Sequence, residues 1–207
     1  MSEKPFRVHS IAEENLFVIL HPCVCGGQRI KKSQELVEEN DKLCDEVTLQ
    51  CGQCGETSKM LFDVSGIVGR IPQFDSINPT SDPSEVIDVV QWLDLAAFHF
   101  STLQDNLSKM EDQEKSYFSA IALQSVDEAL KFYPPNGRFP LPFSPFSEEG
   151  RQLIKEKKDF FAREAVDELR AGIKNFIEKN GIEPKILPKG PIWSGPLPES
   201  VDEEPEE

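Results

Sequence analysis

Cys51-Gly52-Gln53-Cys54-Gly55 places two thiols on one tight turn, between two runs that alternate apolar and polar residues. Upstream, Cys23-Val24-Cys25-Gly26-Gly27 is a second Gly-flanked turn with two more thiols. A Cys-x-x-Cys-Gly turn folds back so that its sulfurs converge, and the glycine after the second Cys supplies positive φ without a Cβ penalty. Two such turns meet the tetrahedral demand of zinc, at about 2.3 Å per sulfur, without a large core. The upstream turn departs from the pattern. Pro22 stands where the first Cys belongs, and the spacing is Cys23-x-Cys25.

The runs around these turns read as strands. Residues 28–37 carry Ile30, Leu36 and Val37; residues 46–50 put Val47 and Leu49 in phase with Cys51; residues 57–64 put Met60, Phe62 and Val64 on one face. The acidic stretch 38–42 reads as the turn between the first two. Residues 20–64 thus resemble a zinc ribbon, a generic motif found in transcription factors, ribosomal proteins, enzymes and many bacterial proteins of unassigned role. The resemblance implies a small three-stranded antiparallel sheet and one structural zinc on Cys23, Cys25, Cys51 and Cys54, and no activity. His21 is an alternative upstream ligand. Cys44, near a strand start, reads as a small core residue.

Two other readings of the cysteines are weighed. Unrelated buried thiols would not fall in two Gly-flanked pairs. A redox dithiol needs its first sulfur at a helix N-terminus, whereas Cys54 is followed by a strand-like run. Four thiolates also close the coordination shell, so a catalytic zinc with an open position is not expected. No His-Glu-x-x-His, Gly-rich phosphate loop or Gly-x-Ser-x-Gly occurs in the sequence. His9 and His99 are isolated, and His99 reads as a core or edge residue. Asp88, Asp94, Asp127 and Glu128 read as solvated helix faces. No catalytic residue is assigned.

The 207 residues carry a net charge of −15, divided as −3 over 1–70, −7 over 71–146, zero over 147–180 and −5 over 181–207. No segment is basic, which disfavours a broad phosphate-binding surface. The N-terminus lacks a basic start followed by an apolar run, so no secretory signal is expected, and no apolar run approaches a membrane span. A cytoplasmic, reducing setting is expected, where clustered cysteines hold metal rather than disulfides.

Elsewhere helices dominate. Ser10 and Glu13 fit a capping box for a short helix ended by Pro22, with Ile11, Phe17 and Leu20 inward, although 16–20 also suits a strand. Residues 66–82 read as linker or loop. Asp82 and Pro83 read as the start of a long helix reaching about Leu107. A second runs from about Asp112 to Tyr133, and a third opens at Ser147 and ends at Asn180-Gly181. The Pro- and Phe-rich stretch 134–146 reads as a strap across the helical core, or else an exposed docking segment.

The expected fold is therefore α+β. It has a zinc-ribbon domain over 1–70, a linker over 71–82, a helical domain of about three helices over 83–183, and a Pro- and acid-rich tail over 184–207, disordered from 200. The leading functional expectation is a non-enzymatic zinc-binding protein whose acidic helical surface meets a protein partner, as an adaptor, regulator or toxin-neutralising protein does. The runner-up is a nucleic-acid-associated zinc ribbon using Arg29, Lys31, Lys32, Lys59 and Arg70. The third is an enzyme with its site among the helices and a purely structural zinc.

Overall fold

Asn40 and Asp41 set the frame of the sheet. Their φ values are 53° and 59°, the left-handed pair that a two-residue hairpin turn requires, and short polar side chains tolerate it. This turn joins β2 (Arg29–Glu39) to β3 (Lys42–Cys51), antiparallel, with Glu39 opposite Lys42 and Arg29 opposite Cys51. The turn expected over 38–42 is narrower, because Glu38, Glu39 and Lys42 belong to the strands. The register shifts between Lys31 and Ser33. Strand β4 (Thr57–Asp63) pairs antiparallel with β3. Along β3, Val47, Leu49 and Cys51 are buried on one face, as their period-two spacing dictates.

The computed structural model describes residues 4–67 and 76–186. Arg70, residues 71–75 of the linker and the tail from 187 onward lie outside the described residues, so the expectations placed on them do too.

The sheet has one strand more than expected and is mixed. Strand β1 (Phe6–Arg7) pairs parallel with β4, Phe6 opposite Phe62, giving the order β1-β4-β3-β2. A two-residue strand has no period to read. It is fixed instead by distant rings, since Phe6 lies 4.7 Å from Phe17 and 5.9 Å from Phe62 between centroids. Between β1 and β2 runs α1 (Ile11–Leu20). The Ser10 hydroxyl accepts its Glu13 N–H at 3.0 Å. Leu16, Phe17 and Val18 face inward, whereas Ile11, expected inside, is exposed.

The long helix begins later than its first cap signal. α2 (Val89–Asn106) is capped by Asp88, whose carboxylate accepts the Val90 and Gln91 N–H groups at 2.9 Å, while Gln91 reaches back to the Asp88 N–H. Asp82-Pro83 does not start it. The Ser84 hydroxyl accepts from the Val86 and Ile87 N–H groups and holds that stretch in a separate turn. α3 (Asp112–Leu130) packs along α2. The expected third helix is two, α4 (Glu148–Glu156) and α5 (Arg163–Lys179), so α2 to α5 replace the three anticipated.

The strap 134–146 is tied down by backbone. The Leu141 N–H donates to the Phe132 carbonyl, the Val89 N–H to Ser144, and the Phe146 N–H to the Asp88 carboxylate. Phe143 and Phe146 nonetheless project into solvent. Buried apolar residues of the sheet (Val47, Leu49, Phe62), of the helices (Trp92, Ile121, Ile173) and of the break between α4 and α5 (Phe161) form one cluster. Segment 76–80 joins the two sides. Its Ile77 carbonyl accepts from the Ser10 hydroxyl, and its Ile77 N–H donates to Gln124 at 2.8 Å.

Candidate metal centre

The hairpin register brings the two cysteine turns together. Because Arg29 sits opposite Cys51, the turn before β2 lies against the turn after β3. The Gly52 N–H donates to the Gln28 carbonyl at 2.9 Å and stitches them. Within the first turn, the Cys23 N–H donates to Gly27 and the Gly26 N–H to Cys23, at 2.9 and 2.7 Å. Within the second, the Gly55 N–H donates to the Cys51 carbonyl at 3.0 Å and the Cys51 N–H to Glu56 at 2.8 Å. Gly26 and Gly55 have φ of 82° and 74°, so the glycine closing each turn is required conformationally.

The Sγ atoms of Cys23, Cys25, Cys51 and Cys54 all lie within 4.8 Å of one another. Cys23 and Cys54 are 3.7 Å apart, and Cys25 and Cys51 3.4 Å. Four sulfurs about 2.3 Å from a tetrahedral centre stand roughly 3.8 Å apart, so the cluster fits such an ion. These are the four thiols singled out in the sequence, and the one-residue contraction of the upstream turn does not prevent their convergence. His21 is not among them. Its ring lies 4.0 Å from that of Phe17, and its Nδ1 meets the Phe17 carbonyl at 2.8 Å. Cys44 is fully buried on β3, away from the cluster. All five cysteines are free thiols.

The electrostatics of the four sulfurs are unequal. The Cys54 and Gln53 N–H groups both donate to Cys51 Sγ at 3.4 Å and pull that thiol down to about 6. Cys23 also receives a backbone N–H, from Cys25. The Glu56 carboxylate 3.2 Å away and burial outweigh it, and the thiol is pushed up to about 12. At Cys54 the Glu56 N–H lowers the thiol, but the neighbouring Cys25 and Cys51 sulfurs raise it overall. Cys51 thus presents a ready thiolate, and a divalent cation binding here would displace protons from the others.

A second set of polar residues lies inside the fold, and the burial of none of them was expected. Glu13, Glu14, Asp45 and Glu128 are buried. Glu14 pairs with Lys31 at 2.8 Å, and Gln34 donates to Asp45. Glu128 pairs with Lys131 at 2.7 Å and accepts from Asn78 at 3.0 Å. Burial pushes Glu14 and Glu128 each up to about 7, against the opposing pull of the partner lysine. Expected on solvated helix faces, Asp88 and Glu128 are instead buried and bonded. Their signal lay in distant partners (Phe146 for Asp88, Asn78 for Glu128) that no local pattern reveals. His99 is buried, its Nδ1 2.9 Å from the Leu95 carbonyl, and burial lowers its pKa.

A cleft of about 490 Å³ opens between α2 and α4, lined mainly by Val86, Val90, Phe146, Leu153, Asp88 and His21. Asp88 there is committed to capping α2. Three cations of the expected nucleic-acid patch are engaged. Arg29 donates to Ser58, Lys31 pairs with Glu14 and Lys59 with Glu46. No helix among the described residues is long and apolar enough to cross a membrane.

No protein-family model matches the chain, no curated protein matches it, and no solved structure matches it.

Proposed function

We propose that the chain is a non-enzymatic zinc protein, in which one closed four-thiolate centre of zinc-ribbon type holds the two cysteine turns together and the acidic helical region meets a protein partner. The observation that carries the metal reading is the convergence of four sulfurs from two turns, at spacings a tetrahedral ion requires, on a hairpin whose register brings the turns together. Zinc suits the donor set, because soft thiolates in a tetrahedral arrangement select it over hard cations. Four sulfurs leave no position for a substrate, so its role here is to cross-link the turns. Five free thiols fit a reducing, cytoplasmic setting.

The partner reading rests on charge and exposed apolar surface. Residues 71–146 carry a net −7, and Phe98, Phe143 and Phe146 are exposed on or beside the helices. A basic partner presenting apolar side chains would find both complements, and the acid would speed its approach.

Elemental analysis of protein purified without added metal tests the centre. One zinc per chain is expected, with four additional thiols titratable after chelation, and its loss in Cys51→Ser and Cys54→Ser but not in Cys44→Ser. Metal-free protein with a reversible Cys51–Cys54 disulfide would overturn the proposal in favour of redox chemistry.

A further inference from the structure

Strand β2 is the edge of the sheet, and it is long. It spans 11 residues, and among the described residues no strand pairs with its outer side. Most of its side chains are exposed, including Leu36 at 64% and Ile30 at 42%. An open edge of this length is a template for another strand, and proteins usually blunt such edges with lysine or a bulge. Here Lys32 lies at the register shift between Lys31 and Ser33, which would turn away most strands.

The order of charge along the strand admits one partner in particular. Arg29, Lys31 and Lys32 occupy its first half, and Glu35, Glu38 and Glu39 its second. Lys31 and Arg29 are already engaged with Glu14 and Ser58, so Lys32, Glu35 and Glu38 are the exposed carriers. We propose that β2 is a self-recognition edge, at which a second copy of this chain pairs its own β2 antiparallel about a two-fold axis near Gln34. Each basic half then lies along the partner's acidic half, the two sheets become continuous, and Leu36 and Ile30 leave water. A parallel arrangement would align like charges, which is unfavourable between neighbouring strands. A strand of unrelated sequence would lack the matching order. The two-fold makes the contact isologous and closed, so a dimer forms and no filament. This inference is independent of the metal reading.

Sedimentation equilibrium of the full chain, over a wide micromolar range and at two salt concentrations, tests it. The wild type is expected to form a dimer that salt weakens. Lys32→Glu, and separately the pair Glu35→Lys with Glu38→Lys, should each weaken association about tenfold or more, because attraction becomes repulsion twice per dimer. All three residues are exposed, and circular dichroism should show each variant folded. Mixing the two variants should restore a dimer, which native mass spectrometry identifies as the heterodimer. A wild type that stays monomeric overturns the proposal, as does a dimer indifferent to these charges. A monomer whose β2 amides resist hydrogen exchange would also overturn it, since another segment of the same chain would then hold the edge.

Discussion

At Gly27 the backbone passes so close to the second cysteine turn that a side chain has no room. An added Cβ would lie 2.6 Å from both Cys51 Sγ and the Gln53 Cβ. Gly27→Ala should therefore push the turns apart, weaken metal retention against a chelator and lower the melting temperature, at a cost of roughly 1–3 kcal/mol. Gly66→Ala, where nothing lies within 4 Å, should leave both unchanged. Comparable effects in the two variants would refute the close approach. Glu128 makes the second prediction at this scale. Its folded pKa rises from an ordinary 4.5 to about 7. Between those values the folded chain holds a proton that the unfolded chain has released, so stability falls as pH rises through the window and levels off above it. Glu14 contributes in the same direction. Glu128→Gln should shrink that fall by roughly 1–3 kcal/mol, read from urea midpoints between pH 5 and 7.5. An identical pH profile in wild type and variant would show that Glu128 ionises freely. The cysteine turns were legible because their chemistry is local. Burial of Glu128 was not, because what buries it (Asn78, Lys131 and the seam beside α1) is brought together only by the fold.

Two aspartates compete to start α2, and only one has a tertiary reason to win. Asp88 caps two helix N–H groups and also accepts the Phe146 N–H of the strap at 2.9 Å. Asp88→Ala should cost about 2 kcal/mol or more, since it orphans buried donors as well as removing a cap. Asp82→Ala, lacking such a role, should stay within about 0.5 kcal/mol of wild type. Equal melting temperatures for the two would refute the placement of the cap. Locally, Asp82-Pro83 was the stronger signal, and it lost because Val86 and Ile87 are buried in the core ahead of the helix. The break between α4 and α5 has a similar cause. The Tyr133 hydroxyl donates to the Phe161 carbonyl at 2.9 Å, and the Arg163 N–H donates to Arg138 at 2.8 Å. Both bonds reach back to the segment after α3, which the reading of one helix from Ser147 to Asn180 cannot anticipate.

Across the molecule, the shared apolar cluster couples the sheet that carries the cysteine turns to the helices. Denaturation should then be one transition. Far-UV circular dichroism, which reports mainly the helices, and mass-spectrometric labelling of Cys44, fully buried on β3, should give the same urea midpoint. Labelling of Cys44 well before the helical signal falls would show that the sheet opens by itself. The α+β character was readable from the switch between period-two runs and helical spacing. The parallel contact of β1 with β4 was not, since it joins residues far apart in sequence through a strand too short to announce itself.

All four sulfurs lie within the first 54 residues, on turns joined by a hairpin with its own two-residue loop, whereas the described chain continues to Ile186. Hairpins form in microseconds, and ribosomes add about 5–20 residues per second, so α2 to α5, which end between Asn106 and Lys179, are complete roughly 3–25 seconds behind Cys54. If the proposed zinc is bound, the thiols meet it on a nascent chain that as yet lacks α2 to α5, and the supply of metal during translation becomes part of how this protein matures.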